Sequence, residues 1–93
     1  MHFLYILYSK KLNKFYIGET ANITNRLTLH MNKTYYQSFT SKADDWKVLL
    51  EYQTNSKENA IYLERFIKRM KSKKFIQKII DDKSILNDIL TKK

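Results

Sequence analysis

Cysteine and proline are absent from this 93-residue sequence, and its only glycine is Gly18. Without cysteine there is no disulfide framework, no thiolate nucleophile and none of the usual structural zinc sites. One glycine is too few for the glycine-rich loop that cradles phosphates in P-loop and dinucleotide-binding folds. Any phosphate chemistry must therefore use side chains.

Acidic residues are scarce relative to basic ones. Eighteen Lys and Arg stand against nine Asp and Glu, which leaves a formal net charge of +9. Such an excess favours a polyanionic partner, either nucleic acid or an anionic membrane face, and disfavours acidic proteins as partners. An AT-rich genome would also raise the content of Lys, Ile and Asn together, so charge alone leaves nucleic-acid binding and a compositional origin open.

Long hydrophobic segments are missing as well. The apolar run at residues 3–8 is too short for a spanning helix or a signal-peptide core, and no Lys or Arg precedes it. We therefore expect a soluble, cytoplasmic protein that does not enter a membrane. The length and the 43% hydrophobic content predict one folded domain over residues 1–93, with its core at about 3–80 and a short helical C-terminal tail.

Three segments have the composition of β-strands. Residues 3–8 are continuously apolar and aromatic, which predicts a strand buried on both faces. A polar turn at 9–14 and a second strand at 15–18 would complete an antiparallel hairpin, and residues 46–52 predict a third strand. Gly18, at the end of the second strand, indicates either a close backbone approach or a positive φ.

Helical periodicity predicts the remaining elements. Asn22 can cap a helix that fades near Asn32, and a polar loop of about 14 residues at 32–45 then suits a substrate-facing role. Ser56 can cap a second helix. Its apolar stripe is Ala60, Leu63, Ile67 and Met70. A short helix at 72–81 and a last turn or two at 85–90 follow, which together predict an α/β fold of the α+β type, a small three-stranded antiparallel sheet flanked by helices.

Polar residues beside the apolar stripes are the candidates for chemistry. Arg26 and His30 are four residues apart and so share one helix face, and Glu64 lies at the border between its apolar stripe and solvent. A carboxylate can hold a hard divalent ion, a guanidinium can neutralise phosphate charge, and an imidazole or a tyrosine can move a proton. Each residue also has an ordinary structural explanation, since Glu64 can pair with Lys68 on the helix surface and a histidine near a core is usually there for packing.

The tyrosines fall in two short motifs on the predicted hairpin. Tyr16, Ile17 and Gly18 form a Tyr-Ile-Gly sequence, and Tyr5 ends a Phe-Leu-Tyr triplet eleven positions before Tyr16. Taken alone, Tyr5 and Tyr16 would simply be core aromatics. Their spacing matters only in combination with the helical motifs that follow.

Those helical motifs come in a fixed order. Arg26 follows Tyr16 by ten positions and precedes Leu27 and His30, and Glu64 stands in the sequence Ala-Ile-Tyr-Leu-Glu-Arg-Phe-Ile-Lys. Across residues 3–80 the four motifs together resemble the GIY-YIG endonuclease family. The short single-domain branch of predicted endonucleases fits best, and it is similar to the catalytic domains of intron-encoded homing nucleases and of the excision-repair incision subunit.

The resemblance implies single-metal hydrolysis of a DNA phosphodiester. Glu64 would hold one Mg²⁺ or Mn²⁺, which binds weakly or not at all until substrate phosphate completes its shell. Arg26 would stabilise the phosphate in the transition state. The resemblance places Tyr5 and Tyr16 near the attacking water and the scissile phosphate, and we predict Tyr5 as the general base, assisted by His30. Gly18 belongs to the structural motif.

The sequence departs from the family pattern at two places. Phe3 and Leu4 replace the Gly and Ile of the first triplet, where they shape the strand rather than perform chemistry. Many relatives carry an Asn after the metal-binding Glu, whereas residues 65–86 contain none. Candidates for a phosphate contact in its place are Lys68, Lys74 and Gln77.

A dense run of basic residues follows Glu64 directly. Its members, predicted to bind nucleic acid, are Arg65, Lys68, Arg69, Lys71, Lys73 and Lys74. Neutralisation of the phosphate backbone would make binding fall steeply with salt. Aromatic residues in or beside the long loop can either stack on unpaired bases or cover the core. These are Tyr35, Tyr36, Phe39 and Trp46.

The sequence thus predicts a metal-dependent DNA endonuclease, structure-selective in repair or recombination. The alternative is a catalytically silent nucleic-acid-binding module on the same scaffold, although such a module would have no need of a border carboxylate that repels phosphate. RNA is not excluded as substrate, a protein partner is an option for supplying specificity, and the oligomeric state is open.

Overall fold

A computed structural model of the chain describes residues 2–22 and 45–93. In chain order the elements of this part are β1 (His2–Ser9), β2 (Lys14–Thr20), β3 (Lys47–Thr54), α1 (Lys57–Met70), α2 (Lys73–Asp81) and α3 (Ser84–Thr91). The helix predicted from Asn22 and nearly all of the predicted loop at 32–45 lie outside the described residues. So do the candidate site residues Arg26 and His30.

The three strands form one antiparallel sheet with the order β2-β1-β3. The central strand β1 is covered on both faces, which confirms the burial expected from its unbroken apolar run: Leu4, Tyr5, Ile6 and Leu7 are all 0% exposed. Tyr5 pairs with Gly18 on β2 and with Glu51 on β3, and a register shift follows between Ile6 and Leu7. The predicted α+β fold, a three-stranded antiparallel sheet with flanking helices, is confirmed.

The Asp45 carboxylate, just before β3, forms hydrogen bonds to the β1–β2 turn. Asp45 accepts hydrogen bonds from the Ser9 hydroxyl at 2.6 Å and from the Lys11 backbone N–H at 2.9 Å. These bonds hold the pKa of Asp45 below its usual value. The turn also places Asn13 at φ 51°, a left-handed conformation that asparagine tolerates better than most residues.

Serine side chains cap α1 and α2, which confirms the predicted Ser56 cap and the predicted helix start at residue 72. The Ser56 hydroxyl accepts from the Asn59 N–H and the Ser72 hydroxyl from the Phe75 N–H, each at 3.1 Å. Between them, Lys71 ends α1 in the left-handed conformation at φ 50°. No helix in the described part of the chain is both long and apolar enough to cross a membrane.

The prediction that Met70 completes the buried stripe of α1 is wrong. Ala60, Leu63 and Ile67 are 0% exposed, whereas Met70 is 48% exposed. Met70 is the last residue of α1, which ends at the left-handed Lys71. The next apolar residues along the chain that join the core are Ile76 and Ile79 of α2.

The alternation of β1 divides the core between the two faces of the sheet. One face packs against the helices and contains Leu4, Ile6, Ile17, Leu50, Leu63, Ile67, Ile76, Ile79 and Leu86. The other face, which we call the tyrosine face, contains Tyr5, Leu7 and Trp46 with Leu12, Tyr16 and Val48 packed beside them. Trp46 is 3% exposed, so of its two predicted roles the structure selects core packing.

Candidate active site

Tyr5, Tyr16 and Gly18 meet on the tyrosine face. Tyr5 lies directly opposite Gly18 in the β1–β2 register, and its ring centroid is 6.2 Å from that of Tyr16. A Cβ atom added to Gly18 would lie 2.5 Å from Cζ of Tyr5 and closer still to its hydroxyl oxygen. Gly18 does not have a positive φ. Of the two explanations for this glycine, the close approach is therefore confirmed.

The two tyrosines differ in accessibility. Tyr5 is 0% exposed, whereas Tyr16 is half-buried and packs edge-on against Trp46, with ring centroids 6.5 Å apart at 69°. Packing against Tyr5 on one side and Trp46 on the other restricts the Tyr16 ring. Tyr16 is thus the member of the pair whose side chain a ligand can reach directly.

Glu64 stands at the margin of the helix-side core, as its position in the apolar stripe predicts. It follows the buried Leu63, and its side chain is 22% exposed. Burial raises the pKa of Glu64, the Lys68 ammonium opposes that rise, and the neighbouring carboxylate of Glu19 adds to it. The Lys68 Nζ is 3.9 Å from Oε1, which is a loose ion pair rather than a tight hydrogen bond.

Glu19 and His2 form part of this region and escaped the sequence analysis. Nε2 of His2 contacts Oε2 of Glu19, and the two side chains are 11% and 24% exposed. Alternation along β2 places Glu19 on the same face as Ile17, which is the face that α1 covers. The strand register is the signal that could have identified Glu19. A hairpin that pairs Tyr5 with Gly18 also pairs Leu4 with Glu19, which places Glu19 beside the helix-side core.

The tyrosines and Glu64 flank the same edge strand from opposite sides. Tyr16 belongs to the tyrosine face, whereas Glu64 extends from the helix on the other face, near Glu19. Tyr16 and Glu19 both belong to β2, which is an edge strand of the sheet, and their side chains lie on opposite faces of it. The structure therefore unites Tyr5, Tyr16 and Gly18 and places Glu64 across β2 from them.

The predicted basic run divides between two sides of α1. One part lines a groove of about 320 Å³ between β2 and the α1–α2 junction, which we call the lysine groove. It is lined by Lys14, Phe15, Ile17, Ile67, Lys68, Lys71, Ser72, Lys73 and Ile76. The adjoining cleft contains Lys73 and Lys74, and no acidic residue lines either one among the described residues. Arg65 and Arg69 line a different cleft, beside the C-terminus.

The lysine groove joins β2 to the helices through polar contacts as well as apolar ones. The Lys73 Nζ donates to the Asn13 carbonyl at 2.8 Å, which connects the start of α2 to the hairpin turn. Phe15 and Ile17 of β2 provide the apolar floor together with Ile67 and Ile76. Cationic groups around an apolar floor suit a ligand that is anionic along its length.

The described part of the chain forms no metal cage made of several carboxylates. In the ranges 2–22 and 45–93, no group of three or more His, Cys, Asp or Glu side chains is positioned to hold a metal ion. A metal held here through Glu64 would take the rest of its shell from water and from the substrate.

The fold and the site define a small α+β domain with a paired-tyrosine hairpin, a partly buried helix carboxylate and a lysine-lined groove. The GIY-YIG catalytic domain model matches residues 1–79, so the chain belongs to the GIY-YIG family. Members of this family are typically endonucleases, they are generally dependent on a divalent metal, and a nuclease domain acts on nucleic acid. Neither the comparison with curated proteins nor that with solved structures gives a match.

Proposed function

We propose that this protein is an endonuclease that hydrolyses DNA phosphodiester bonds with the help of one divalent metal ion held by Glu64. The observation that carries the proposal is the placement of Glu64 itself. It is a partly buried carboxylate with a raised pKa, next to a groove lined with lysines and across one strand from Tyr16. A purely structural helix residue would gain nothing from this costly position.

The environment of Glu64 suits a divalent cation. Burial disfavours its charged form, the carboxylate of Glu19 disfavours it further, and the Lys68 ammonium at 3.9 Å compensates only in part. A hard cation at Glu64 would relieve both costs, and carboxylate oxygen is the ligand that Mg²⁺ and Mn²⁺ prefer. When bound, such an ion polarises the phosphate and lowers the pKa of a coordinated water.

The residues of the chain would hold the scissile phosphate at the β2 edge. Tyr16 is partly accessible and restricted by its ring neighbours, so its hydroxyl is suited to contact the phosphate or the attacking water. The general base is proposed to be Tyr5 assisted by His30, and Arg26 would neutralise charge that develops on the phosphate. Tyr5 is fully buried, so a proton can reach or leave it only through an adjacent polar group.

The lysine groove would carry the nucleic-acid backbone toward this edge. Lys68 lies one helical turn from Glu64, and Lys71 and Lys73 continue the positive surface from there to the start of α2. Phosphates bound along the groove would bring the neighbouring phosphate to Glu64 and Tyr16. Repair or recombination of branched DNA is the proposed setting, because a single small domain has little surface for reading a long sequence.

The experiment that tests the proposal is a cleavage assay on duplex, single-stranded, flapped and four-way DNA, with matched RNA, in Mg²⁺, Mn²⁺ or EDTA. We expect metal-dependent cutting that falls about a hundredfold or more in Glu64→Gln, because the metal contributes several kcal/mol to the transition state. Glu64→Gln keeps the shape of the side chain and removes its charge.

Glu51→Gln is the matched control. Glu51 is an exposed carboxylate on β3 that pairs with Tyr5 and therefore faces the same side as the tyrosines. If cleavage depends on Glu51 rather than Glu64, the assignment of the metal site is wrong. If DNA is bound under all conditions and never cut, the silent nucleic-acid-binding module replaces the enzyme as the better explanation.

A further inference from the structure

Three aromatic rings form a row on the side of α1 that faces α2 and the C-terminus. The ring centroids of Tyr62 and Phe66 are 6.3 Å apart, and those of Phe66 and Phe75 are 6.1 Å apart. Two cations lie over these rings. The guanidinium carbon of Arg69 is 5.7 Å from the Phe66 centroid, and Nζ of Lys93 is 5.3 Å from the Tyr62 centroid.

We name the surface made by Tyr62, Arg65, Phe66, Arg69 and Lys93 the aromatic–cation surface. A cleft of about 440 Å³ opens on it, and a second cleft of about 360 Å³ continues between the same two rings and α3. Both volumes fall within the range of roughly 300–1,000 Å³ that is typical of ligand sites. The charged residues that line the two clefts are Arg65, Arg69, Lys92 and Lys93 on the basic side and Glu58 and Asp88 on the acidic side.

This surface is separate from the proposed cleavage site. At about 100° per residue, Tyr62 and Phe66 lie about 160° around α1 from Glu64. The lysine groove begins at Lys68 on the Glu64 side, whereas Arg65 and Arg69 point to the aromatic rings and the C-terminus. The helix therefore presents two basic surfaces of different composition, one with a floor of three isoleucines and Phe15 and one with Tyr62 and Phe66.

We propose that the aromatic–cation surface binds unpaired nucleotides of a nucleic-acid substrate by stacking their bases. A base has a flat π-face that can stack on Tyr62 or Phe66, or on the guanidinium plane of Arg69, while the surrounding cations neutralise its phosphate. A duplex hides its base faces in the helix and can use only the cations. The inference rests on the substrate class of the proposed function and does not depend on the cleavage step.

The geometry favours an unpaired strand over other anionic ligands. Tyr62 and Phe66 stand at positions i and i+4 of α1 and line both clefts, so they give two neighbouring aromatic sites rather than a single closed pocket. The exposed side chains of Arg65 and Arg69, also four residues apart on α1, lie beside these rings. Neighbouring rings accompanied by cations suit the alternation of base and phosphate in a single strand.

The test is a set of binding measurements in EDTA, so that no cleavage occurs. Three fluorescent probes of equal length are compared: a single strand of mixed sequence, the same strand with abasic sites throughout, and the blunt duplex. We expect the single strand to bind about tenfold or more tightly than the abasic strand, since stacking on one aromatic side chain gives about that factor per base. Equal affinity for the two strands would overturn the proposal.

Two variants locate the effect. Phe66→Leu keeps apolar bulk in a half-buried position and should weaken single-strand binding about tenfold while leaving abasic binding as it is. If Phe66→Leu loses its fold, the exposed pair Arg69→Gln and Lys93→Gln takes its place. It should weaken the binding of both strands, because both keep their phosphates, and that of the base-containing strand more, because Arg69 also stacks on a base. Lys78→Gln with Lys83→Gln removes two exposed cations elsewhere and is the charge-matched control.

The outcomes separate this inference from the proposed function. A protein that distinguishes the base-containing strand from the abasic one, but cuts nothing with metal, supports the stacking surface and refutes the nuclease. A nuclease whose strand preference is unchanged in Phe66→Leu refutes the stacking surface alone. Self-association of the chain that is abolished by the same substitution would also refute it, because the surface would then be a protein interface.

Discussion

The Tyr5 side chain fills the space in which a side chain at position 18 would begin. A Cβ atom on Gly18 would lie 2.5 Å from Cζ of Tyr5, and Tyr5 is 0% exposed, so its ring is enclosed by the core and a shift would disturb its packing. The glycine of the Tyr-Ile-Gly motif is therefore required by the tyrosine of the neighbouring strand, and a turn or a positive φ plays no part.

Replacement of this glycine by alanine tests the relationship. We expect Gly18→Ala to lower the free energy of unfolding by about 1–3 kcal/mol, the usual cost of inserting a methyl group into a packed core. Denaturant titration measures the change. The cost should shrink in a Tyr5→Leu background but persist in Tyr5→Phe, because phenylalanine keeps the Cζ atom. Equal costs in all three backgrounds would show that the two residues are not coupled.

We expect Glu64 to lower the stability of the metal-free protein while it supports cleavage. Its carboxylate is partly buried and lies near Glu19, and burial raises its pKa. In the absence of metal, we therefore expect Glu64→Gln to melt at a higher temperature than the wild type, although it loses cleavage. Thermal melts at neutral pH in EDTA provide the measurement. A lower melting temperature would mean that the Lys68 ion pair outweighs the cost of burial.

The lysine groove should determine how duplex binding depends on salt. Lys71→Gln with Lys74→Gln removes one exposed charge from the groove and one from the adjoining cleft. Loss of each lysine that contacts a phosphate should reduce the slope of log K against log salt by about 0.9. Duplex titrations in EDTA at several salt concentrations give the slope. Lys78→Gln with Lys83→Gln is matched in charge and should leave it nearly unchanged. If both pairs reduce the slope equally, the groove is not the duplex site.

Asp45 should give stability a component that depends on pH. Hydrogen bonds from Ser9 and Lys11 lower its pKa from the usual value of 3.8, so the folded state favours the carboxylate. The stabilisation is therefore complete above that value and is lost as the pH falls through the lower folded value. We expect the stability gap between the wild type and Asp45→Asn to close over that acidic range, as followed by denaturant unfolding.

The Ser9 hydroxyl is the largest cause of the lowered pKa and provides the control for this experiment. In a Ser9→Ala background, Asp45→Asn should lower the free energy of unfolding by less at neutral pH. The reason is that Asp45 then keeps the hydrogen bond from the Lys11 N–H and loses the one from the hydroxyl. Asp81→Asn removes a carboxylate from the exposed face of α2 and controls for net charge. If the stability difference between the wild type and Asp45→Asn stays constant through the acidic range, the hydrogen bonds at Asp45 do not depend on its ionised form.

Local patterns in the sequence were sufficient for most of the secondary structure. The run at residues 3–8 predicted a strand buried on both faces, and the serines at 56 and 72 predicted helix starts that the structure confirms. The α+β class followed from these elements, whereas the strand order β2-β1-β3 came only from the structure. Such features depend on contacts within one or two turns or on the period of the apolar residues, and both are visible in a linear chain.

The candidate residues of the site could be named from the sequence, but their arrangement could not. The Tyr-Ile-Gly motif and Glu64 were identified from spacing, and the fold places them beside the same edge strand. Glu19 and His2 were missed because their proximity to that region arises from strand register and from α1 packing against β2. Arg26 and His30 lie outside the described residues, so their roles stay predictions from the sequence.

The sequence by itself determined the absence of thiol and glycine-loop chemistry, the basic character of the protein, its elements and its family motifs. Only the tertiary structure decided that Gly18 makes room for Tyr5, that Met70 is exposed, and that the basic run divides between a lysine groove and the aromatic–cation surface. The physical reason is that the periodicity of a helix is visible in the sequence. Which segment packs against each side of that helix depends instead on contacts between residues distant in the chain.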